Sequence, residues 1–139
     1  MSKPINITIN MEPIPKGRPR TTVSNGNIRT YTPDRTRIAE EELKARFLWY
    51  KDQILAFDVP VKLTVTFFLH KSPWLKNPRK YAKLPAWGSD IDNLTKTILD
   101  SGNEILFTDD KQVTTLTARK RWSDNGHGYI VIKLEEDKE

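Results

Sequence analysis

Apolar residues alternate with polar ones at Ile5, Ile7, Ile9 and Met11, the period of a strand with one buried face. The alternation stops at Pro13, Pro15, Gly17 and Pro19, and residues 12–30 read as a basic loop. Thr32-Pro33-Asp34 then carries a helix-start signal: a threonine N-cap, proline in the first turn and an early acid. Behind it, Ala39, Leu43, Phe47, Tyr50 and Ile54 fall on one helical stripe. Leu48 and Trp49 lie off that stripe and are expected to pack a second core surface or, failing that, a partner subunit. Pro60 ends this segment. Val61, Leu63, Val65, Phe67 and Leu69 alternate as a second strand.

Residues 71–89 have no period and contain Pro73, Pro78 and Pro85, so they read as a long loop of the kind that is functional or disordered. Trp74, Tyr81 and Trp87 sit among its lysines, where they either stack on exposed bases or pin the loop to the body. From Asp90 the period turns helical. Ile91, Leu94 and Ile98 make a narrow apolar stripe, and Asp92, Asn93, Lys96 and Asp100 project from the opposite side. Gly102 and Asn103 can end that helix. Residues 113–122 and 129–134 are strand-like, the latter with Ile130, Ile132 and Leu134 on one face, and Asn125-Gly126 predicts a hairpin between them. The acidic tail, residues 135–139, is expected to fray. The order strand, helix, strand, loop, helix, strand, strand predicts an α+β fold. It would be a single domain over residues 1–139, with two main helices packed on a small, mostly antiparallel or mixed sheet.

Composition narrows the chemistry. With 139 residues, 37% hydrophobic and 29% charged, the chain suits one globular domain, and it has neither a membrane-length apolar run nor a secretory leader. Cysteine is absent, which excludes disulfides, thiolate catalysis and cysteine-ligated zinc. His70 and His127 are the only histidines, so a bound metal would take oxygen ligands, as magnesium, manganese and calcium do. Net charge is +5. Its cations cluster as Lys16, Arg18 and Arg20; as Lys71, Lys76, Arg79, Lys80 and Lys83; and as Arg119, Lys120 and Arg121. Such patches suit the phosphates of a nucleic acid, the alternative being a solvated basic surface.

Against that basic background, Asp90, Asp92, Asp100, Asp109 and Asp110 crowd two short segments beside Lys96. Each has an ordinary explanation: a cap at Asp90, an i,i+4 pair for Asp92 and Lys96, turn chemistry at Asp109-Asp110, solvation for Asp100. Together they are harder to explain, because unpaired carboxylates repel unless a cation relieves them. If the following strand returns Asp109 and Asp110 toward the helix start, two or three carboxylates there would hold a divalent cation, and phosphodiester cleavage would be the natural reaction.

The run D-I-D-N-L-T-K-T-I-L-D with the later T-D-D-K-Q-V, together with the early P-I-P-K-G-R-P-R and Y-T-P, resembles the signature of RusA-type Holliday junction resolvases. The resemblance implies a small homodimeric endonuclease that uses magnesium, with manganese as a substitute, and needs no organic cofactor and no membrane. It would cut four-way DNA junctions by paired symmetric incisions in recombination and repair, in the cytoplasm of a bacterial or phage-infected cell. It also implies Asp90, Asp92 and Asp110 as metal ligands and Lys96 as the essential lysine, with Asn93, Asp100 and Asp109 in support. Two other readings are a restriction-type nuclease using Asp109 and Lys111, and a non-catalytic DNA-binding module with structural carboxylates.

Overall fold

The computed structural model describes residues 4–17, 20–31, 33–50, 59–71, 83–86 and 88–138. Along the chain run β1 (Ile5–Ile9), β2 (Arg20–Ser24), β3 (Asn27–Tyr31), α1 (Asp34–Leu48), β4 (Val61–Leu69), α2 (Ile91–Gly102), a 3-10 turn (Asp110–Gln112), β5 (Val113–Trp122) and β6 (Tyr129–Glu136). The class is α+β, as the order of periods predicts. Among the described residues, no helix is long and apolar enough to cross a membrane.

Alternation builds the core. β1, β6 and β4 pair antiparallel, and their registers place Ile7, Ile132 and Val65 in one row across the sheet, all fully buried. β5 pairs with β4 in parallel, which makes the sheet mixed, in the order β1-β6-β4-β5. Leu43 and Phe47 of α1 and Leu94 and Ile98 of α2 close the core over this sheet, with Leu106 and Phe107 behind α2. Each such side chain contributes about 1.5–3 kcal/mol by leaving water. Gly102 is required where α2 ends, because a Cβ there would meet Leu106 Cδ1 at 2.6 Å.

Several expectations change. α1 starts with Pro33 as its N-cap, with no side-chain cap, and stops at Leu48. Thr32 and Ile54 lie outside the described residues. Leu48 and Trp49 are exposed, Trp49 by 85%, so they pack no second core surface. Ile91 is also exposed, and the buried side of α2 is completed instead by Thr95, Thr97, Ser101 and Gly102.

Residues 12–30 are not simply a loop, because β2 and β3 form a hairpin turned by Asn25 and Gly26. Both have positive φ (52° and 78°), as a tight two-residue turn demands. Asn125-Gly126, by contrast, joins no hairpin: β4 lies between β5 and β6. The tail does not fray at its start. Glu135 and Glu136 pair with Lys62 and Val61, and the Asp137 N–H donates to the Pro60 carbonyl at 2.8 Å.

Candidate active site

α2 begins with Asp90 as its N-cap, yet the Asp90 carboxylate caps no backbone N–H; only its carbonyl enters the helix, accepting from Leu94 N–H at 3.0 Å. The capping explanation for this acid therefore fails. The pairing explanation fails as well, since Asp92 and Lys96 are both exposed and form no ion pair among the described residues. What organises the two carboxylates is Asn93. Its backbone N–H donates to Asp92 Oδ1 at 2.9 Å, and its side-chain amide lies 3.5 Å from Asp90 Oδ2.

Asp90 and Asp92 line an open groove of about 560 Å³ whose other wall is Arg119, Lys120 and Arg121 of β5. β5 comes to the start of α2 through a specific contact, in which Lys120 Nζ donates to the Ser89 carbonyl at 2.8 Å. One lysine of the basic triplet thus fixes the residue before Asp90. The β4–β5 register pairs Phe67 with Lys120 on the core side but Thr66 and Phe68 with Arg119 and Arg121, so the two arginines alternate to the other face of the sheet, and Arg121 Nη1 donates to the Lys120 carbonyl at 2.8 Å. The two carboxylates line a groove with room for both a cation and a phosphate.

Asp109 and Asp110 sit at the other end of α2. The chain folds back immediately after the helix, with Leu106 N–H donating to the Gly102 carbonyl at 2.7 Å, and Asp110 N–H donates to Asn103 Oδ1 at 3.1 Å. At about 1.5 Å of rise per residue, Asp100 lies about 12 Å beyond Asp92 along the axis. The strand therefore does not return Asp109 and Asp110 to the helix start.

Asp109 has a structural duty: its Oδ1 accepts from Lys111 N–H, and its own N–H donates to Gln112 Oε1, both at 2.9 Å. The hydrogen bond from Lys111, and then that with the Asp110 carboxyl, hold Asp109 below the usual carboxylate range. Asp110 is pushed up, first by its hydrogen bond with Asp109, then by desolvation and the charges of Asp109 and Asp100.

Asp100 is joined to Lys16. The Lys16 ammonium lies 3.1 Å from Asp100 Oδ2 and also bonds Glu40 of α1, while its backbone N–H donates to the Asn93 carbonyl at 2.9 Å. Burial pulls this ammonium down, but the hydrogen bonds to Glu40 and Asp100 outweigh it, and its pKa is raised overall. Gly17 follows in close contact with α1: its N–H donates to Thr36 Oγ1 at 2.9 Å, and a Cβ would stand 2.6 Å from that oxygen. Lys16 is thus a clasp between α1 and α2. Of the other cations, Lys71 lies 5.9 Å over the Trp122 ring and Lys83 is exposed. Arg18, Lys76, Arg79 and Lys80, like Trp74, Tyr81 and Trp87, lie outside the described residues, and Arg20 opens β2.

No three Asp, Glu or His side chains gather into a ligand group among the described residues. The donors at the helix start nevertheless fit a magnesium ion, which takes one or two protein carboxylates and fills its shell with water and phosphate oxygens. Fold and groove together define a small α+β protein that presents paired carboxylates at an open groove beside the basic strand β5. The chain belongs to the RusA endodeoxyribonuclease family, the Holliday junction resolvases, whose pattern it matches over residues 10–135. It is also similar to YqaN, an uncharacterized protein of Bacillus subtilis (strain 168), at 23% identity over 136 residues, covering 93% of this chain and 95% of that protein.

Proposed function

We propose that this endodeoxyribonuclease is magnesium-dependent and, as a homodimer, resolves four-way DNA junctions by paired symmetric incisions, with manganese able to replace magnesium. The reading rests above all on the start of α2, where the exposed Asp90 and Asp92, in no ion pair among the described residues, line one groove with β5. Asp90 and Asp92 hold the cation there, oriented by Asn93. When bound, the ion polarises the scissile phosphate and lowers the pKa of a water. Lys96, one turn beyond Asp92, offsets the negative charge that develops as the phosphodiester breaks, and Arg119 and Arg121 bind phosphates farther along the DNA from the outer face of β5. Asp110, at the far end of α2, stands apart from this pair and does not share their cation. Two near-equivalent strands must be cut in a junction, which a two-fold assembly matches with two identical sites.

The restriction-type alternative is weakened by Asp109, whose carboxylate is committed to the 3-10 turn. A four-way junction labelled in turn on each strand, incubated with magnesium, tests the proposal. Nicks at symmetric positions on one opposed pair of strands are expected, and scattered cuts on all four would contradict it.

A further inference from the structure

Every side chain from Thr21 to Tyr31 is exposed, although these residues form a regular antiparallel ribbon. Its register sorts them onto two faces. Thr22 pairs with Arg29 and Ser24 with Asn27, and Tyr31 shares their side. Thr21 pairs with Thr30 and Val23 with Ile28 on the other. The first face offers hydroxyl, amide and guanidinium donors. The second is apolar near the turn, with Val23 and Ile28 side by side at 69% and 73% exposure. A lone two-stranded hairpin is marginal in water, and an open Val–Ile pair on it wants cover. Charge selects what the cover is. No Asp or Glu occurs between Pro13 and Pro33, whereas Arg20 and Arg29 lie on the ribbon itself, so the ribbon complements a polyanion.

We infer that the β2–β3 ribbon is an insertion arm for branched DNA. Its polar face takes the backbone phosphates of one duplex arm, and its Val23–Ile28 face packs on the flat base pair uncovered at the branch point. The inference rests on the branched-DNA reading above and gives it a source of selectivity. A linear duplex stacks every internal base pair and presents phosphates alone, so only the polar face gains there. An open junction adds an apolar surface that aliphatic side chains can cover, as apolar wedges do in kinked DNA.

The test is binding by fluorescence anisotropy in chelator, where no cutting occurs, to a labelled four-way junction and a linear duplex of equal length. The doubly substituted Val23→Ser/Ile28→Ser protein is expected to lose about tenfold in junction affinity with duplex affinity unchanged. Arg29→Ala is expected to weaken both and to reduce the salt slope by about one. A 2-aminopurine at the branch point should brighten with the unsubstituted protein and stay dim with the double variant. An unchanged thermal midpoint shows that the fold is kept. Junction affinity and 2-aminopurine signal equal to those of the unsubstituted protein would overturn the inference and leave the resolvase reading standing. Equal losses on both DNAs, with dimer turning to monomer in sedimentation, would also overturn it by giving the apolar face to a second copy. If the unsubstituted protein did not prefer the junction, both the inference and that reading would fall.

Discussion

The four-stranded sheet and the β2–β3 hairpin are both written in two-residue alternation, and they end in opposite environments. In the sheet, the alternate residues of β1, β4 and β6 are Ile, Leu, Val and Phe, and all of them are buried. In the hairpin, one face has only Val23 and Ile28 between threonines, and nothing from Thr21 to Tyr31 is buried. Alternation decides which residues share a face. Whether that face joins the core depends on how much apolar area it can remove from water. The sheet is therefore scaffold and the hairpin is surface held out for a partner, with the groove at the start of α2 between these roles.

Substitutions that separate stability, chemistry and binding sharpen this contrast. Phe67→Ala, in the middle of β4, should cost about 3–5 kcal/mol in urea unfolding, the largest effect expected, because the cavity opens beneath packed helices. Asp92→Asn should lower cleavage by about 10²–10³-fold while junction binding and unfolding midpoint stay put; strong cutting by this variant would remove Asp92 from the site. Lys16→Met should cost about 1–2 kcal/mol, a buried-pair loss discounted because all three partners keep some solvent contact. The Lys16 pKa is raised in the folded state, so its stabilisation is complete below pH 10.5 and is lost as pH climbs through the higher folded value. Lys16→Met should accordingly flatten the alkaline limb of the stability curve. Val23→Ser should change stability by less than about 0.5 kcal/mol, and a larger loss would mean that the hairpin belongs to the scaffold after all.

Much of the scaffold is legible in the sequence because β1, β4 and β6 each have one apolar face and one buried destination. The hairpin is hidden because its alternation is polar on both strands, although Asn25-Gly26 marks its turn. The same dipeptide at 125–126 misleads, since turn chemistry is local and strand order is not. β5 pairs with β4 through a parallel register that no short-range signal encodes. At the site, the cluster of acids along α2 is plain from spacing. Which end Asp110 reaches is not, because that depends on the tight reversal after Gly102 and on the Asn103 side chain. Lys16 reads as a phosphate contact from its basic company, yet Glu40 and Asp100, far away in sequence, enclose it. Asn93 and Lys120 are equally visible as residue types, but their tasks, orienting the carboxylate pair and fixing Ser89, arise only when α2 and β5 meet.

On the proposed mechanism, the carboxylates at the start of α2 cut branched DNA with a divalent ion. The most direct measurement is cleavage of a labelled four-way junction beside a linear duplex of the same sequence, with magnesium and with chelator, for the unsubstituted protein and for Asp90→Asn. Nicks are expected on the junction and not the duplex, with magnesium and not with chelator, and are abolished by Asp90→Asn. Cleavage that persists in chelator, or that survives Asp90→Asn undiminished, would contradict that mechanism.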